Sequence, residues 1–202
     1  MQDHFKDVPG RPREFDHDSV ITKAMNVFWC LGFSKTTYSE LEQNTGLHRQ
    51  SLVYAFGNKK TLFNQVLRHY AATRVQKVID ILEASNSPLD NICTVFAMWA
   101  KDARDEATPG CLFVNTSVEI GHSEPAVAQI IEDSTQRLIK AFHQAFKAGQ
   151  TRGEITIKVD AADLARQAVA VGDGALLRSK ASVDPSFAEV AFKAFIALIS
   201  NK

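Results

Sequence analysis

Apolar residues recur every three or four positions along nearly the whole chain, beginning with Val20, Ile21, Ala24, Met25, Phe28 and Trp29. That spacing lines one face of a helix, whereas a half-buried strand would alternate. The pattern predicts an all-α protein. Asp16 or Asp18 supplies an N-cap for the first helix, and Gly32 is the kind of residue that closes one. Two short helices follow at 39–45 and 49–56, parted by Gly46. A much longer one begins near Lys59, buries Leu62, Phe63, Val66, Leu67 and Tyr70, and ends in the polar stretch before Pro88. Its length suits it to joining two modules and to carrying motion between them. Further helices are predicted at 88–105, 110–121, 124–149, 160–179 and 185–200, from periodicity and from breaks at Pro109, Pro125, Gly149, Gly153 and Pro185. The run ITIKV at 155–159 alternates like a strand, but one strand has nothing to pair with, so it is read as an extended connector.

Composition adds a division that the pattern does not show. The 202 residues carry no net charge, yet residues 1–77 hold 11 Lys and Arg against 7 Asp and Glu, and residues 78–202 hold 12 against 16. A basic surface on the front of the chain fits these counts, and so does an ordinary solvated surface of mixed charge. Cys30, Cys93 and Cys111 are odd in number and show no CxxC spacing, which argues against a disulfide framework and a zinc site. The first residues lack the apolar stretch of a signal peptide, and nowhere do about 18 apolar residues run together as a membrane span requires. A cytoplasmic protein without membrane contact is expected.

Residues 36–63, TTYSELEQNTGLHRQSLVYAFGNKKTLF, read as two short helices around a turn followed by the start of the long one. Leu41 and Thr45 on the first short helix face Leu52 and Phe56 on the second, with Leu47 in the angle and Gly46 at the turn. Arg49, Gln50, Val53 and Tyr54 then share the opposite face of the second helix. Such a face suits major-groove reading, since Arg pairs bidentately with guanine and Gln with adenine. On spacing alone, a helical hairpin with a polar outer face accounts for the segment equally well.

The same residues resemble the signature of the TetR family of regulators. The likeness rests on Gly32 and Phe33, Thr36 and Thr37, the turn Gly46, and the series Tyr54, Phe56, Asn58, Lys59 and Leu62. The resemblance implies an all-α homodimer. An N-terminal three-helix DNA-binding head would occupy 1–58, with a flexible arm ahead of it, and an effector-binding and dimerisation domain would occupy 59–202. It also implies that Arg49, Gln50 and Ser51 approach base edges while Thr36, Thr37, Tyr54 and Lys59 hold phosphates and set register, with His48 beside them in the DNA-binding set. Two positions depart from the family pattern. Val53 stands where a Tyr is usual, with the aromatic one residue later at Tyr54; either Val53 packs on a thymine methyl instead, or the whole helix is rotated slightly. Glu42 stands where a small residue is usual. Arg11 and Arg13, set around a proline, would reach from the arm into a minor groove, unless that arm is simply a solvated tail.

Beyond Pro88 the chain holds more aromatic bulk than a DNA-binding head needs. Phe96, Trp99 and Phe142 are candidates to line an effector pocket, although most such residues are core. The segment PGCLFVNTSVEIG at 109–121 resembles one branch of the family, which includes regulators that answer to small thiol-reactive or unsaturated compounds, and there it forms the helix beneath the pocket. On it Cys111, Asn115 and Val118 lie three or four apart, with Glu119 beside them. Cys111 reads either as a small buried hydrophobe or as a sensor thiolate made acidic by a helix N-terminus. The six scattered histidines offer no catalytic arrangement, and Glu119 with His122 is too few ligands for a metal. No enzyme chemistry, metal or cofactor is expected.

The last two helices would form the dimer interface by resemblance, through Leu164, Ala168, Val171 and Ala175 on one and Phe187, Ala191, Phe195 and Leu198 on the other. A two-fold pairing implies a palindromic operator in double-stranded DNA. The sequence thus reads as a repressor released from that operator by a small-molecule effector. The alternative from another class is an all-α small-molecule-binding protein or enzyme that does not bind DNA.

Overall fold

The computed structural model describes residues 15–105, 110–181, 184 and 186–201. The fold is all-α, with a small helical head carrying a helix-turn-helix and a larger helical body. The head consists of α1 (His17–Lys35), α2 (Tyr38–Thr45) and α3 (Arg49–Phe56). From it α4 (Lys59–Tyr70) runs through a π-helical turn (Ala71–Val75) into α5 (Gln76–Leu82), so the predicted long helix is continuous but widened and underwound by a π-bulge at its middle. The body continues with α6 (Pro88–Asp102) and α7 (Leu112–Thr116), which extends through a second π-helical turn (Ser117–Gly121). It is completed by α8 (Pro125–Thr151), α9 (Ala161–Ala181) and α10 (Phe187–Ile199).

Local signals account for most boundaries. Asp16 caps α1 by accepting from the Asp18 amide, Asn58 caps α4 through the Thr61 amide, and Ser87 caps α6 ahead of Pro88. The expected end of α1 at Gly32 is instead a kink: Gly32 has φ 80° and ψ 170°, a conformation essentially confined to glycine, and helical geometry resumes to Lys35. The 155–159 connector is anchored by a single antiparallel bridge between Ile155 and Ser200, with the Thr156 amide donating to the Ile199 carbonyl.

One core runs through head and body. Phe28 and Phe33 on α1 meet Phe63 on α4, with ring centroids 4.8 and 5.0 Å from it, while Phe96 and Trp99 on α6 meet Phe142 on α8 and Phe192 on α10. Of the residues predicted for the dimer face, Phe187 and Leu198 point outward and four others do not. Leu164, Ala168, Ala175 and Phe195 are buried inside the chain, because α9 packs on α8 and α10, and α10 packs also on α6. Val171 and Ala191 are half-buried. The large apolar side chains left facing outward on these helices are Leu177 on α9 and Phe187, Val190 and Leu198 on α10, so α10 has an outer apolar face that the sequence pattern merged with the inner one. Among the described residues no helix is long and apolar enough to cross a membrane, and no cluster of His, Cys, Asp and Glu could hold a metal ion.

Candidate nucleic-acid face and internal cavity

The helix-turn-helix is set by a few short-range bonds. Thr37 opens α2 with a capping box, accepting from the Glu40 amide while its own amide donates to the Glu40 carboxylate. Gly46 closes α2 in the left-handed conformation, and Thr45 donates to the Leu41 carbonyl while accepting from the Leu47 amide. His48, at the N-cap of α3, makes no side-chain cap. Glu42 does that work from α2: its carboxylate accepts from the Arg49 amide at 2.6 Å. The acid that departs from the family pattern therefore places negative charge at the positive end of α3, which stabilises the short helix and fixes the turn angle.

With Leu41, Leu52 and Phe56 buried between the helices, α3 turns His48, Arg49, Gln50, Ser51, Val53 and Tyr54 outward. Tyr54 is 90% exposed and Val53 41% exposed, uncommon openness for large apolar groups. The Arg49 guanidinium stacks over the Tyr38 ring at 4.6 Å, which holds it extended at the edge of this face.

Two sequence assignments need correction. Thr36 is only 1% exposed, and its hydroxyl donates to the Gly32 carbonyl at 2.7 Å, so it faces the kink in α1 instead of solvent. Lys59 turns its ammonium inward over the Phe33 ring and donates to the carbonyls of Phe33 and Thr36, both at 2.9 Å. These two residues lock the head together. Thr37 is exposed, but its hydroxyl is engaged with Glu40. Arg11 and Arg13 lie outside the described residues.

The body encloses a cavity of about 190 Å³ between α1, α4, α5, α6, α7, α8 and α9. Trp99, Cys111 and Val118 line it, as the sequence suggested. Phe96 and Phe142 do not; both are packed into the aromatic cluster of the core. Asn115 also lies off the wall, near Gly110. Sequence reasoning missed Trp29, Tyr70, Arg74, Phe113, Asp102 and Asp173. Tyr70 and Arg74 sit at i and i+4 where the apolar stripe of the long helix meets the π-helical turn, and a polar group inside such a stripe was the available signal.

The wall is aromatic with a few charged groups. Trp29 stands edge-on to Tyr70, Tyr70 edge-on to Phe113, and Arg74 lies over the Trp29 ring. The Tyr70 hydroxyl and the Cys111 thiol are 3.4 Å apart. Burial pushes the Cys111 thiol up, outweighing the bond from Tyr70 and the amides of Val114 and Phe113, which favours the buried-hydrophobe reading over the acidic sensor. Asp102 is also raised by desolvation, with Arg74 and Lys77 pulling the other way. Partial desolvation carries Asp173 up to about 6, although the residue keeps one side open to solvent.

On the other side of the α7 segment from the cavity, the Glu119 carboxylate accepts from the Phe33 amide at 2.9 Å and the Ser34 amide at 2.7 Å. Partial burial works against the charged form, but these bonds and Lys180 outweigh it, and the carboxyl is held below its ordinary value.

Comparison with known proteins agrees with this architecture. Residues 88–195 match the family described as "Tetracyclin repressor-like, C-terminal domain". The chain is 30% identical over 147 residues to an uncharacterized HTH-type transcriptional regulator, YezE, of Bacillus subtilis (strain 168), covering 72% of this chain and 76% of that protein. It is 28% identical over 158 residues to the HTH-type transcriptional repressor ComR of Escherichia coli (strain K12), covering 77% and 75%. Among solved structures, a cysteine mutant of the TetR family regulator CifR in complex with double-strand operator DNA superposes with a TM-score of 0.80 at 24% identity, over 93% of this chain and 98% of that one.

Proposed function

This chain belongs to the TetR family of transcriptional regulators, and from that premise we propose that it is a homodimeric repressor, released from a palindromic operator by a small molecule bound in the body cavity. The observation that carries the DNA-binding part is the outer face of α3. Arg49, Gln50, Ser51, Val53 and Tyr54 project together from a helix whose inner face is fully packed, and their chemistry suits base edges and a thymine methyl. The excess of Lys and Arg over Asp and Glu in residues 1–77 supports the same reading, as does the naming of relatives as repressors and the operator-bound state of CifR.

In this reading residues 1–58 act as the DNA-binding head and 59–202 as the effector and dimerisation body. Leu177 on α9 and Phe187, Val190 and Leu198 on α10 are the residues that would meet a second copy. The cavity, walled by Trp29, Tyr70, Trp99 and Phe113, suits an apolar, partly aromatic effector. A thiol-reactive or unsaturated compound would meet Cys111 as a neutral thiol, which favours reversible binding over addition. Operator and effector affinities are linked: an effector that prefers a conformation with wrongly spaced heads weakens DNA binding by the same factor.

Footprinting on DNA flanking the gene tests the proposal. Two symmetric protected half-sites are expected, and binding no tighter than to random duplex would exclude the repressor reading.

A further inference from the structure

We propose that Glu119 is the positioning residue that ties the wall of the cavity to the DNA-binding head. This rests on the cavity being the effector site. The two amides it binds are the first N–H groups after the Gly32 kink, donors that a helix restarting there leaves without an intrahelical partner. The usual answer is a capping side chain from the residue just before. Here Gly32 has none, and the acceptor comes from the body, 85 and 86 positions away in sequence. The fit is close: a Cβ on Gly32 would lie 2.7 Å from Glu119 Oε2, so only glycine admits the carboxylate.

The other side of the same kink is held from within the head and α4. Lys59 takes the carbonyls of Phe33 and Thr36, and Thr36 takes that of Gly32. Phe33 is thus gripped by its N–H from the body and by its carbonyl from α4. Directly before Glu119, Ser117 and Val118 line the cavity. The π-helical turn at Ser117–Gly121 lets neighbouring residues serve both directions, Ser117 and Val118 toward the cavity and Glu119 toward α1. At the other end of the segment, Phe113 touches Tyr70, and Tyr70 touches Trp29 on α1. Displacement of this helix by an occupant of the cavity therefore pulls on the point from which α2 and α3 hang. The α7 segment is a second route beside the long α4–α5 helix.

Amide hydrogen exchange on the full-length chain tests this without DNA or an identified effector. Glu119→Ala is expected to speed exchange at Phe33 and Ser34 by about 10- to 100-fold, as for loss of a bond to a charged acceptor, and Glu119→Gln by less. The probe for coupling is Val114→Phe, which fills the cavity from the α7 segment. It is expected to change exchange at Phe33 and Ser34 several-fold in the wild-type chain and by a clearly smaller factor in the Glu119→Ala background, where only the Phe113–Tyr70–Trp29 contacts still link the cavity to α1. If Glu119→Ala does not fold, Glu119→Gln takes its place, with a reduced response to Val114→Phe expected. An unchanged rate at the two amides on filling the cavity, or the same factor in both backgrounds, overturns the proposal. A chain that shows the coupling but does not bind DNA would overturn the repressor reading and leave this one standing.

Discussion

The outer face of α3 and the wall of the cavity differ in how far the chain must travel to build them. The first takes its exposed side chains from 8 consecutive residues and their cap. The second gathers residues from Trp29 to Leu176, on seven helices and both π-helical turns. A face of the first kind is fixed once the helix and its buried side are known, because the helical period determines what remains outside. A wall of the second kind depends on how the helices pack, and on bulges that rotate side chains between neighbours. Recognition chemistry is local in this molecule, whereas effector chemistry is tertiary.

The largest expected effect separates the two sides of α3. Leu52→Ala, at a fully buried site between the short helices, is expected to cost about 2–5 kcal/mol of stability in thermal or denaturant unfolding. If it were as mild as a surface change, the head would not be packed as described. Next, Arg49→Ala and Gln50→Ala should leave the melting temperature nearly unchanged while each costs about 1–3 kcal/mol of operator affinity and relaxes preference at one base position, measured by titrating single-base operator variants. A uniform loss across all sequences would instead make them phosphate contacts.

The smallest effect belongs to the cavity. The folded-state carboxyl of Asp173 is raised to about 6 from an ordinary 3.8, so its stability contribution is present below the unfolded value and is lost as pH rises through 6. Asp173→Asn should therefore raise the melting temperature at pH 7.5, with the gain shrinking as pH falls toward 4. A gain independent of pH would mean that desolvation of this carboxylate is not the cause.

Much of the fold was legible in the sequence, because helix periodicity, Asp16, Gly46 and Pro88 each act locally. The exposed set on α3 was legible for the same reason. Thr36 and Lys59 were not, since their inward bonds depend on the Gly32 kink, which brings the carbonyls of Gly32, Phe33 and Thr36 within reach. Of the residues read as the dimer face, Leu164, Ala168, Ala175 and Phe195 are covered within the chain while Phe187 and Leu198 are not, and periodicity alone does not say which side of a helix is already covered. Within the segment at 109–121, Cys111 drew attention as chemistry, yet Glu119 makes the contact that crosses to the head. No spacing rule relates residues 85 apart.

Hydroxyl-radical footprinting of the DNA flanking the gene tests the central claim most directly. The account predicts two symmetric protected half-sites about one helical turn or more apart, bound at least about 1,000-fold more tightly than random duplex at physiological salt. Protection without symmetry, or affinity indistinguishable from random duplex, would contradict it.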